Sequence, residues 1–247
     1  MTELAGRRVL VVGASSGIGR SIARVLATEG VRVAAAARRF DRLRELVEEA
    51  GPGVEAIACD VRDPASCAYV VARSVELLGG LDALVYAAGI ALLMGLDDAD
   101  DEAWRESLEV NVVGPSLITR AALPHLEASR GRVIFLSSIA AQDHPPRRGL
   151  GLYVTAKAAM NMLVSAWQVE QRAVSFTRVN VGDTGSTEMA CEWDPAAGGY
   201  YVREWMDRGL LFGRSMLPES VARHVVTLLA SDEAVPESTI TPRFPNE

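Results

Sequence analysis

Arg8-Val9-Leu10-Val11-Val12-Gly13-Ala14-Ser15-Ser16-Gly17-Ile18-Gly19 couples an unbroken aliphatic run to a turn with glycine at three positions. A run of this kind, without polar alternation, reads as a strand covered on both faces, as in a parallel sheet. Behind the turn, Ile18, Ile22, Val25 and Leu26 recur at helical spacing, and Gly30 stops that helix before a second apolar strand, Val31 to Ala37. This is one βαβ unit, and its rhythm continues. Strands are expected near Val54 to Cys59, Leu81 to Tyr86, Arg132 to Ser137 and Val174 to Val181. Helices are expected from about Pro64 to Leu78, Ala99 to Leu126 and Tyr153 to Gln171. The alternation predicts an α/β fold: a doubly wound, mostly parallel sheet of about seven strands, helices on both faces and right-handed crossovers. After Val181 the rhythm breaks. Residues from about 185 to 216 hold Trp193, Tyr200, Tyr201, Trp205 and Phe212 among Gly and Asp. This aromatic insertion reads as a substrate lid or as a helical pair that covers core, and the two are compatible. A last helix from about Glu219 to Leu229 and a short strand around Ser238 to Thr241 follow. His144-Pro145-Pro146-Arg147-Arg148 is a loop, because Pro-Pro forbids a helix there. Repeats, low-complexity tracts and linkers are not seen, so residues 1–247 are expected to form one domain.

The 247 residues are 49% apolar and 23% charged, with a formal net charge of −7. No global positive field exists to gather nucleic acid or an anionic membrane, so neither is an expected partner. No stretch approaches the roughly 18 apolar residues of a membrane span, and Met1 to Gly6 lack the features of a signal peptide. A cytoplasmic protein is expected. Cys59, Cys67 and Cys191 are odd in number and lack CxxC spacing, which argues against a disulfide framework and against a metal site. Buried apolar thiols are the simpler reading. Of the 25 basic residues 24 are Arg, and the one lysine is Lys157. A position that keeps Lys in such a chain is a candidate for chemistry that needs a compact ammonium.

The glycine turn lets the backbone approach a pyrophosphate, and the helix that follows offers free N–H groups and a positive dipole end. Gly13, Ser15, Ser16, Gly17, Ile18 and Gly19 are the expected contacts. A P-loop is disfavoured because no Gly-Lys-Ser/Thr follows. Gly13 to Gly17 also fits the G-x-S-x-G elbow of hydrolases, with Asp207 and His224 downstream in the required order. That elbow needs an oxyanion-hole loop from an earlier strand, and too few residues precede Ser15 to supply one. Where an acidic residue at the end of the second strand would hold a ribose 2′-hydroxyl, this chain has Ala37-Arg38-Arg39. Asp41 falls later, so no carboxylate competes there, and NADP(H) is favoured over NAD(H).

In Tyr153-Val154-Thr155-Ala156-Lys157 the phenol and the ammonium stand at i and i+4 on one helical face. A nearby ammonium stabilises the tyrosinate and fits a phenol for proton transfer near neutral pH.

With this pair, the glycine turn and the order of segments between them, the chain resembles the short-chain dehydrogenase/reductase family in its form of about 250 residues, over essentially its whole length. The resemblance implies a Rossmann-like three-layer sandwich. Tyr153 would be the general acid/base, Lys157 would bind the nicotinamide ribose, Ser138 would polarise the carbonyl and Asn111 would hold a proton-relay water. Asp60-Val61 would contact adenine and Ala87-Ala88-Gly89 would border the cofactor. Gly182 and one of Thr184 and Thr187 would contact the nicotinamide amide. The implied activity is interconversion of a ketone and a secondary alcohol by a homodimer or homotetramer. Alternatives are a catalytically silent NADP-binding regulator and a lyase or epimerase on the same scaffold. The chain departs from the pattern in several places. Tyr86-Ala87-Ala88-Gly89 replaces Asn-Asn-Ala-Gly, and altered packing without loss of activity is expected. Ser138 and Tyr153 stand further apart than usual, with Gln142 to Arg148 absorbing the length. The glycine-rich tail common in the family's tetramers is replaced by Ile240-Thr241-Pro242-Arg243. Ala91-Leu92-Leu93-Met94, Gln142, His144 and the aromatic insertion are the expected substrate lining. No Arg cluster converges there in sequence order, which favours a mostly apolar small molecule over a phosphorylated one.

Overall fold

The computed structural model describes residues 4–211 and 213–243. Phe212 of the aromatic insertion and Met1 to Glu3 of the first segment lie outside the described residues. Seven strands form one sheet: β1 Arg8–Val12, β2 Arg32–Ala37, β3 Val54–Ala58, β4 Ala83–Tyr86, β5 Arg132–Ser138, β6 Ser175–Val181 and β7 Glu237–Ile240. Their order is β3-β2-β1-β4-β5-β6-β7, and every pairing is parallel. The helices are α1 Gly17–Thr28, α2 Phe40–Ala50, α3 Pro64–Leu78, α4 Asp101–Leu108, α5 Gly114–Ser129, α6 Gly151–Glu170, α7 Pro195–Asp207 and α8 Pro218–Ala230.

Alternate strand residues supply two apolar layers. Val9, Val11, Val33, Ala35 and Ile134 pack with Ile22 of α1, Leu43 of α2 and Val221 of α8. Leu10, Val12, Ala34, Leu84 and Phe135 pack on the opposite side with Val70 of α3, Ile118 of α5 and Met160 of α6. That double burial is why the central strands read as unbroken apolar runs. Since β1 lies between β2 and β4, successive crossovers leave β1 on opposite sides, and a crevice opens at the carboxyl ends of the strands there.

The single helix expected from Ala99 to Leu126 is two helices joined by a π-helical turn, Glu109–Val113. Pro115 is the cause. It has no N–H to give the Asn111 carbonyl, and its ring clashes with that carbonyl in α geometry, so the turn widens and Gly114 N–H reaches back to Glu109 O instead. The first helix starts on Asp100, whose carboxylate accepts from Ala103 N. In the insertion, one helix, α7, stands where a helical pair was an alternative, and Thr184 and Met216 form an isolated parallel bridge at its base.

Candidate active site

The crevice beside β1 and β4 encloses about 690 Å³. Gly13, Ser15, Ser16, Gly17, Ile18 and Gly19 of the turn line it, with Arg38, Arg39, Asp60, Val61, Ala87, Ala88 and Gly89. Gly13 has φ +89°, and a Cβ there would stand 2.5 Å from Ala88 N, so only glycine allows β1 and β4 to close at this point. Ser16 is the N-cap of α1 but makes no side-chain capping bond, which leaves the first-turn N–H groups of α1 open toward the crevice. A glycine cradle, an uncapped helix start and two arginines fit the pyrophosphate and adenosine of a dinucleotide. Of the two candidate threonines, Thr187 lines the crevice, whereas the Thr184 hydroxyl donates to Gly182 O at 2.9 Å. Gly182 and Thr184 are outside the lining.

Further along β4 and β5, the other four predicted residues come together. Asn111, held in the π-helical turn, donates through Nδ2 to Ile90 O and Ser107 O, both at 3.0 Å; its Oδ1 is buried without a hydrogen-bond partner. A Cβ at Gly89 would meet that Oδ1 at 3.1 Å and Lys157 Nζ at 3.4 Å, so both groups converge on the same glycine. Lys157 Nζ donates to Leu136 O of β5 at 2.9 Å and lies 5.7 Å from the Tyr153 ring centre. Tyr153 hydrogen-bonds Ser138 at the end of β5, and Ser138 Oγ also accepts from Ala140 N at 3.1 Å. Burial lowers Lys157 to about 8. Burial also pushes the Tyr153 phenol above its ordinary value, and the Ser138 hydrogen bond and the Arg147 cation offset part of that rise. Proximity to Lys157 alone suggests a lowered phenol; desolvation, which sequence does not weigh, reverses the direction.

The family profile described as "short chain dehydrogenase" matches residues 7–197. The chain belongs to the short-chain dehydrogenase family. An 11-beta-hydroxysteroid dehydrogenase A of Sesamum indicum is 36% identical over 173 residues, which is 68% of this chain but 49% of that protein, so the chain spans about half of that relative's length. A Methylorubrum extorquens protein named as an uncharacterized oxidoreductase is 32% identical over 95% of this chain and 94% of its own. Among solved structures, a dehydrogenase/reductase from Sinorhizobium meliloti superposes with a TM-score of 0.82 at 31% identity, covering 96% of this chain and 94% of that one. An alcohol dehydrogenase from Thermococcus sibiricus, solved with 5-hydroxy-NADP, gives 0.78 at 27% identity and covers 96% of both chains.

Three features of this short-chain dehydrogenase have no local sequence signal. Tyr86, where the family has an asparagine, is fully buried and donates its hydroxyl to Val110 O, inside the π-helical turn, at 2.8 Å. Gly114 leaves room for that hydroxyl. Arg147, read as a loop arginine, is 6% exposed and bonds Asp143, Asp183 and Leu210 O while lying 6.0 Å from the Trp205 ring centre. It places one buried cation near Tyr153, where sequence order showed no Arg cluster. Finally, a carboxylate does compete near Arg38 and Arg39, contrary to expectation: Glu188, brought in from the insertion, ion-pairs with Arg39 at 2.5 Å.

Apolar lining from Ala91 to Met94 faces the crevice as expected. Gln142 does not; it is exposed and donates to Glu237 Oε1 at 3.3 Å, at the start of β7. His144 is exposed. Trp193 Nε1 donates to Ala91 O and Trp205 Nε1 to Arg148 O, and Trp205 packs in one cluster with Tyr153, Leu150 and Ala91. The insertion therefore covers a small core that includes Tyr153, and through Trp193 it also lines the crevice.

Proposed function

We propose that this chain is an NADP(H)-dependent oxidoreductase that interconverts a ketone and a secondary alcohol of a small, mostly apolar molecule. The observation that carries the reading is the convergence of Tyr153, Ser138, Lys157 and Asn111 next to a crevice built for a dinucleotide. Bound nicotinamide supplies or accepts the hydride. Tyr153 gives its proton to the carbonyl oxygen in reduction and takes it back in oxidation. Ser138, already hydrogen-bonded to the phenol, polarises the same oxygen. Lys157 orients the nicotinamide ribose. Asn111, its amide N–H groups taken by two carbonyls, presents an acceptor that holds the water feeding the proton path. Arg38 and Arg39 hold the 2′-phosphate, in line with the NADP analogue in the Thermococcus sibiricus structure. Thr187, which lines the crevice, is the threonine assigned to the nicotinamide amide in this reading.

Residues from about 185 to 216 form the substrate lid of a single-domain enzyme, and Leu92, Leu93, Met94 and Trp193 give its apolar wall. A cytoplasmic site is the reading we keep; Cys59 and Cys67 are buried, whereas Cys191, expected to be buried with them, is exposed. A homodimer or homotetramer is favoured by the outer face of α6, where Thr155, Ala158, Ala159, Met162, Ala166 and Val169 make an exposed stripe without charge.

The test is a panel of ketones and alcohols followed by nicotinamide absorbance with NADPH and NADH side by side. Tyr153→Phe is expected to lower kcat by roughly 10²- to 10⁴-fold while NADPH still binds. Undiminished turnover in that variant rejects the assignment, and binding without turnover in the unaltered protein points to a silent regulator.

A further inference from the structure

One nitrogen of the Arg39 guanidinium, Nη2, carries three contacts before any cofactor arrives: it stands 2.5 Å from a Glu188 carboxylate oxygen and donates to Ser16 Oγ at 2.9 Å and Ser15 Oγ at 3.1 Å. A carboxylate on a guanidinium is the same charge-assisted contact that a phosphate would make, so the two anions want the same nitrogen. Arg39 and Glu188 keep 50% and 39% of their side chains exposed, and exposed pairs of this kind are easily exchanged. A carboxylate is also an acceptor for a ribose 2′-hydroxyl, the role acidic residues play in NAD sites. Here that acid comes from the insertion and not from the end of β2.

We propose that Glu188 is a specificity-determining residue for the cofactor: its carboxylate competes with the 2′-phosphate of NADP(H) for Arg39 and so narrows the margin over NAD(H). This rests on the NADP(H) reading above. Two effects act in one direction. The incoming dianion must displace Glu188 and then sit beside its negative charge, whereas a 2′-hydroxyl meets an acceptor.

The experiment is fluorescence titration of NADPH and NADH, at one fixed ionic strength, into the unaltered protein, Glu188→Gln, Arg39→Ala and the double variant. Glu188→Gln is expected to raise the ratio of NADPH to NADH affinity roughly fivefold. Glu188→Ala, which leaves no side-chain acceptor, must move the ratio the same way. In the Arg39→Ala background, where no guanidinium is left to compete for, the Glu188 substitution is expected to move the ratio clearly less than it does with Arg39 present. A ratio unchanged by both Glu188 variants, or changed equally with and without Arg39, overturns the proposal. The unaltered protein tests the underlying reading separately: if it prefers NADH, the NADP(H) assignment fails, and a ratio that still rises in Glu188→Gln upholds the role given to Glu188.

Discussion

Lys157 is 3% exposed, and the carbonyl of Leu136 is its hydrogen-bond partner. An ammonium placed there costs more in the folded chain than in water, which is why its pKa falls from 10.5 to about 8. The unfolded chain holds that proton up to the ordinary value and the folded chain releases it earlier. The penalty is therefore complete below about pH 8 and fades as the pH climbs toward 10.5. Measured by denaturant unfolding against Lys157→Met, the unaltered protein is expected to gain stability across that window, on the order of 3 kcal/mol. A gap between the two proteins that stays constant with pH would show that Lys157 is not held as a buried cation. At this scale the sequence was most legible where partners lie one helical turn apart, as Tyr153 and Lys157 do. Arg39 with Glu188, and Arg147 with Asp183, were hidden because each pair is made by segments that only the folded sheet brings together.

The element that most affects the site is the π-helical turn between α4 and α5. Pro115 forces it open, Tyr86 reaches across from β4 to bond Val110 O, and Asn111 is aimed at Gly89 as a result. Tyr86→Phe keeps the ring and removes one buried donor. Leaving the Val110 carbonyl without its partner is expected to cost about 1–3 kcal/mol of stability, read from the shift of the denaturant midpoint. An unchanged midpoint would mean that the hydroxyl contributes nothing to the turn. Strands and helices themselves were readable to within a few residues, since their apolar periods are local. The break at Glu109 was not, because the pattern from Ala99 to Leu126 stays helical on both sides of it and only the position of Pro115 hints at the wider turn.

Across the whole molecule, the doubly wound sheet was legible from alternation alone, whereas the proposed contact between copies of this chain is drawn from the exposed stripe on the outer face of α6. Met162 is 72% exposed there and Val169 74%. Met162→Glu is expected to lower the mass seen by sedimentation from that of a dimer or tetramer toward a monomer; an unaltered protein that is already monomeric removes the basis for that interface. None of the described helices is long and apolar enough to cross a membrane. Since Lys157 sits beneath the surface, amine-directed reagents find no exposed lysine. Biotinylation or cross-linking by active esters will leave the lysine unmarked while the fold is closed, and any adduct on Lys157 will report an opening between α6 and β5.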